Sequence, residues 1–146
     1  MNYESSIKVK TEKKSAFKAV ASELNMWWGR VDSPVFKVGD EFTISFGKTK
    51  WRFKITEFSK YDRITWKCIE AEHFVDGFTD IKEEWLNTEV VWAFNKDSDD
   101  VEISMEHNGL TPELNCYDIC ESGWDYFVAT SLKNYLETGK GTPRFE

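Results

Sequence analysis

Two histidines, three cysteines and seven tryptophans are the residues of this 146-residue chain that could do chemistry. His107 shares the phase of Val101, Ile103 and Met105, so it points inward at the end of a strand. A general base needs a partner and a substrate within hydrogen-bond reach. No partner for His107 is evident, and a satisfied structural histidine is the expectation. His73 lies in a segment without a readable period and carries the same expectation. Cys116 and Cys120 are one helical turn apart, and with Cys68 and a histidine they would make a zinc set by number. Structural zinc sites usually announce themselves by close pairs such as Cys-x2-Cys. A helical i, i+4 pair is also poorly placed for a disulfide. The three cysteines are therefore read as small, buried, reduced thiols, and neither a metal nor a cofactor is expected. There is no phosphate loop, no Gly-x-Ser-x-Gly and no His-Glu-x-x-His, so no catalytic residue is assigned.

Aromatic residues make up 16% of the chain, enough that they must either fill a thick core or line a pocket. Alternation puts Phe42, Phe46, Trp51, Phe53, Trp66, Trp92, Phe94 and Met105 on the inward face of a sheet. A C-terminal helix presents Cys120, Trp124, Phe127 and Tyr135 across the gap. So many rigid rings are hard to interdigitate without voids, and Gly123 and Ser131 keep the helix face open. The expected ligand-lining set is Trp66, Trp92, Phe94, Met105, His107, Cys120, Trp124 and Phe127. Should side chains fill that gap, Phe74, Phe78 and Trp85 are the next candidates.

The elements that must position these residues follow from periodicity. Ser6 to Thr11 alternates as a half-buried strand, and Lys14 to Leu24 has helical spacing through Phe17, Val20, Ala21 and Leu24. A short apolar cluster, Met26 to Trp28, follows it. Alternating strands are predicted over Glu41 to Gly47, Trp51 to Glu57, Arg63 to Ala71, Thr88 to Lys96 and Val101 to His107. One wet face on each favours antiparallel order. The short Gly47-Lys48-Thr49-Lys50 connection predicts a hairpin. Glu72 to Asn87 has no assignable element, and long loops of this kind often carry function. From about Pro112 to Glu137 the apolar stripe is helical, ended by Gly139. A helix of roughly 24 residues spans about 36 Å and must cross the sheet.

The length fits a single domain, residues 1–146. The formal net charge is -7, which repels phosphate backbones and makes nucleic acid an unexpected partner. Lys8, Lys10, Lys13 and Lys14 form the one basic cluster and read as a solvated surface. Met1 to Glu12 is polar and charged, unlike a signal peptide. No apolar run approaches the roughly 20 residues of a membrane span. A cytoplasmic location is the expectation.

The motifs together resemble the activator-of-heat-shock-ATPase-like branch of the START, polyketide-cyclase and birch-pollen-allergen (SRPBCC) superfamily. Phe17 to Val20 followed by Leu24, Trp27 and Trp28 resembles its first helices with their paired tryptophan. Val38-Gly39-Asp40-Glu41-Phe42 resembles its Gly-Gly-x-Phe strand entry, with Asp40 in place of the second glycine. Tyr61, Arg63, Ile64 and Trp66, then Asp100 to Leu110, then Gly123-Trp124 resemble later elements in the same order. The resemblance covers about residues 5 to 138. It implies an α+β helix-grip fold: about six antiparallel strands curved around a long C-terminal helix, with two short helices after the first strand.

The leading functional expectation is binding of an apolar or aromatic small molecule, such as a lipid, between sheet and helix. The alternatives are a cyclase or hydratase using the same cavity, with His107, Tyr135 or Glu121 as its polar groups, and a chaperone-type protein partner. The latter role, in the protein that gives the branch its name, depends on an additional N-terminal domain.

Overall fold

The computed structural model describes all 146 residues. The chain opens with β1 (Tyr3–Val9), α1 (Lys13–Ala21) and a single 3-10 turn (Leu24–Met26). Six further strands follow: β2 (Arg30–Val31), β3 (Glu41–Phe46), β4 (Thr49–Ser59), β5 (Arg63–Glu72), β6 (Glu89–Asp97) and β7 (Asp100–Asn108). The helical C-terminal part is α2 (Tyr117–Tyr126), a π-helical stretch (Phe127–Leu132) and α3 (Lys133–Thr138), with no break between them.

All strands join one antiparallel sheet in the order β1-β7-β6-β5-β4-β3-β2. Alternation sets its two faces. In β7, Val101, Ile103, Met105 and His107 are buried while Glu102, Ser104 and Glu106 are not. Register shifts between β4 and β5, at Arg52/Phe53 and Ile55/Glu57, add curvature to the long central hairpin. The concave face so formed receives α2 and its continuation through Cys120, Trp124, Val128, Ser131 and Leu132, all buried. The fold is thus the expected α+β helix-grip, with the two-residue β2 as a strand beyond the expected six.

Two local departures follow from tertiary contacts. The C-terminal helix starts at Tyr117 rather than near Pro112, because Glu84 reaches over from the β5–β6 connection. Its carboxylate accepts from the backbone N–H groups of Asn115 and Cys116, both at 2.9 Å, and so caps the helix there. The wider π-helical turn carries Ser131, whose hydroxyl donates to the Trp27 carbonyl at 2.5 Å and accepts from the Thr142 N–H at 2.8 Å. That tie locks the helix to the Trp27–Trp28 segment on one side and to the C-terminal residues on the other.

Candidate functional site

The seven tryptophans form one connected cluster, and its geometry decides where a ligand could go. Trp28 stacks between Trp66 (5.5 Å between ring centres) and Trp124 (4.9 Å). Trp124 lies parallel to Trp85 at 5.9 Å, and Trp85 stacks on Trp51 at 3.9 Å. Trp27 meets Trp92 edge-on at 6.0 Å. The gap left between sheet and helix by strand alternation alone is therefore filled by Trp27 and Trp28 from the turn after α1.

Of the residues expected to line a pocket, Trp66, Trp92, Phe94, Met105 and His107 are all packed in this core, at most 2% exposed. Cys120, Trp124 and Phe127 instead reach a cleft of about 1010 Å³ at the adjoining end of the molecule. Trp28, Trp51, Trp85 and Trp124, each at most 5% exposed, line its inner side. One wall is Ile119, Cys120, Gly123 and Phe127 of the helix. The opposite wall is the segment after β5, His73 to Phe78, and the rim includes the β3–β4 turn and the C-terminal Arg144 and Glu146. Phe74 and Phe78 are about half exposed along it. Lys48, Asp76, Arg144 and Glu146 give the cleft a rim of two cations and two anions.

Each wall is fixed for a local reason. The β3–β4 hairpin turns at Gly47, whose φ of +60 suits glycine. Thr49 just beyond it donates its hydroxyl to the Phe74 carbonyl (3.1 Å) and accepts from the Phe74 N–H (2.9 Å). The His73 N–H bonds the Lys82 carbonyl, and Ile81 and Trp85 anchor the same connection in the core. On the helix, a β-carbon added at Gly123 would meet nothing within 4 Å, so this position opens onto free space in the cleft. The tail is held by the Arg144 N–H donating to the Trp28 carbonyl at 2.9 Å, and by Arg30 over the Phe145 ring.

The two histidines differ in kind. His107 is fully buried between Trp85, Trp124 and Thr88. The Trp124 indole N–H donates to its Nδ1 (3.1 Å), and an indole can only donate. The imidazole proton therefore sits on Nε2, which faces Thr88 Oγ1 at 2.8 Å, and that hydroxyl donates onward to the Trp85 carbonyl at 2.6 Å. Burial lowers its pKa from 6.5 to about 3, so the ring is neutral. This is the satisfied structural histidine expected from its phase in β7. His73 is 6% exposed, packs at a tilt against Trp51 (4.8 Å between ring centres), and its Nδ1 has no hydrogen-bond partner. Cys116 and Cys120 face it from the start of the helix, and the three donor atoms lie within 4.8 Å of one another. The Cys116 thiol is pushed up by its hydrogen bond with Cys120 and by burial, and pulled down by His73. Cys68 stands apart, its thiol directed to the Glu70 carbonyl, and burial raises it to about 12.

The polar groups considered for an enzyme do not reach the cleft. His107 is enclosed, Tyr135 donates to Glu23 at 3.0 Å, and Glu121 accepts from the Tyr117 hydroxyl at 3.1 Å. The residues that sequence patterns missed are Trp28 and His73. The signal available for His73 was its place at the start of the unassignable segment, directly after β5.

A curved antiparallel sheet closed over a C-terminal helix is the helix-grip fold. Solved structures with this fold align along most of the chain. The Aha1 dimer from Colwellia psychrerythraea aligns with a TM-score of 0.79 and 20% identity over 97% of this chain and 99% of that one. DynU16, a putative protein in the dynemicin biosynthetic locus, gives 0.74 and 17% over 96% of this chain and 48% of that one. CalU16 from Micromonospora echinospora gives 0.62 and 14% over 88% and 71%. At these identities the likeness is one of fold. No family model and no curated protein matches the sequence. No helix is long and apolar enough to cross a membrane.

Proposed function

We propose that the chain binds an aromatic or otherwise apolar small molecule in the cleft between the C-terminal helix, the β3–β4 turn and the segment after β5. The observation that carries this reading is a space of about 1010 Å³ lined by four tryptophans. Small-molecule sites are typically about 300–1,000 Å³, mostly apolar, with a few polar groups that set orientation. Lys48, Asp76, Arg144 and Glu146 are placed at the rim for that second role. Burial contributes about 25 cal/mol per Å² of apolar ligand surface, so affinity should rise with ligand size more than with polarity.

Gly123 supplies the test. The β-carbon of a leucine there would meet no protein atom within 4 Å, at a position that lines the cleft. Removing a mid-helix glycine is also favourable by about 0.5–1 kcal/mol. Fatty acids, flavonoids and hydrophobic dyes titrated against wild-type tryptophan emission should show saturable binding. Gly123→Leu should weaken it by about tenfold or more, with no loss of thermal stability. Absence of binding across the panel, or equal binding by Gly123→Leu, would remove the cleft as a ligand site.

A further inference from the structure

We propose that His73, Cys116 and Cys120 form a binding site for one soft or borderline metal cation, Zn²⁺ foremost, with the fourth coordination position open to the cleft. The proposal departs from the sequence expectation of no metal, and the departure has a structural cause. The helical cysteine pair alone is two ligands short, and it acquires a third donor only when the end of β5 is brought against the helix start. The result is three buried side chains whose donor atoms lie within 4.8 Å of one another.

Tetrahedral zinc, with Zn–S near 2.3 Å and Zn–N near 2.0–2.1 Å, sets neighbouring donors roughly 3.5–3.8 Å apart. From a separation of up to 4.8 Å, the set needs to contract by about 1.0–1.3 Å at most. The donors match the metal. Two thiolates and an imidazole select zinc or another soft ion over magnesium or calcium. Three protein ligands is also the number that zinc sites with an exchangeable position use. Cys120 and His73 line the cleft whereas Cys116 does not, so an outside ligand would approach from the cleft.

A hydrogen-bonded trio without metal is the competing account, and it leaves a defect. His73 Nδ1 is buried with no partner, a cost of about 1–3 kcal/mol that a metal bound at that nitrogen would remove. The surroundings are also built to hold the donors still. Glu84 fixes the backbone at Cys116, and the Trp51 ring lies 4.8 Å from that of His73. The site does not depend on the small-molecule reading of the cleft, since metal can bind whether or not an organic ligand does.

The test uses the whole chain, stripped by chelator and titrated with Co²⁺, then with Zn²⁺ in competition. One Co²⁺ per chain is expected, with thiolate charge-transfer absorption of an intensity for two sulfurs and tetrahedral d–d bands, displaced by one Zn²⁺. Affinity should fall at least about 100-fold in Cys120→Ser and in His73→Asn, more than the 10–100-fold typical of a supporting residue. Cys68→Ser should bind as the wild type does. Near-UV circular dichroism of the tryptophans reports whether each variant is folded, and the wild-type spectrum decides alone for any that is not. Absence of thiolate–Co²⁺ bands in the wild type, or bands that survive both substitutions in folded protein, would overturn the site.

Discussion

His107 and His73 both lie near Trp85, 4.6 and 6.4 Å from its ring centre, yet the fold treats them differently. Both ring nitrogens of His107 have partners, in one chain: indole to Nδ1, Nε2 to hydroxyl, hydroxyl to carbonyl. No charge contributes to its lowered pKa, only burial. Around His73 the backbone is secured but Nδ1 is left without a partner, beside two thiols and open space. The difference teaches where this molecule has been completed for stability and where it has not. A closed polar chain inside an aromatic core rigidifies and specifies that core. An orphaned buried nitrogen in a native fold calls for a partner from outside.

The largest effect should come from breaking the closed side. Trp124 is 2% exposed, stacks on Trp28 and Trp85, and donates to His107. Trp124→Ala should cost about 3–5 kcal/mol in urea unfolding at matched m-value. A cost under about 1 kcal/mol would mean that neither the stack nor the hydrogen bond holds the helix to the sheet.

The next effect is a pH dependence with a definite sign. The unfolded chain protonates His107 below its ordinary 6.5, whereas the folded chain holds the ring neutral down to about 3. The stability associated with the neutral ring is thus fully present above about pH 6.5 and declines as pH falls toward 3. The slope from this one group is about 1.4 kcal/mol per pH unit. Other groups titrate in the same window, so the measurement is the difference between wild type and His107→Gln. The variant should be less stable at pH 7, and the gap should narrow as pH falls. Parallel curves from pH 7 to 4 would show that His107 is not buried neutral.

Much of this architecture was legible in the sequence. The runs Trp51-Phe53-Ile55 and Val101-Ile103-Met105-His107 alternate without interruption, and a period of two fixes both the strand and the face. The helix stripe through Trp124 and Leu132 was equally plain. The site was less so. Trp27 and Trp28 read as a local apolar cluster, and nothing in their spacing says that they enter the sheet–helix gap and displace the pocket toward Phe74, Phe78 and Trp85. His73 and Cys116 are brought together by a connection without period, which is tied down by Thr49 of β4 and whose own Glu84 reaches the start of the helix. Periodicity reports which face a residue takes within its own element. It carries no information on which element arrives opposite.

The smallest effect should come from the open side, and it sharpens the contrast most directly. In chelator-treated protein, His73→Phe removes no hydrogen bond at Nδ1, because there is none. The phenyl ring can keep the packing against Trp51, 4.8 Å away. The backbone bond from the His73 N–H to the Lys82 carbonyl is untouched. The cost should therefore stay under about 1 kcal/mol, within the range of ordinary substitutions. His107→Phe, which strands the Trp124 N–H and breaks the link to Thr88, should cost more than about 2 kcal/mol. Zinc should then separate the two further. It should raise the melting temperature of wild type and leave that of His73→Phe unchanged, because a ligand stabilises only the state that binds it. Equal costs for the two phenylalanine substitutions, measured without metal, would mean that His73 is as fully partnered as His107 and that the asymmetry between the two histidines is absent in solution.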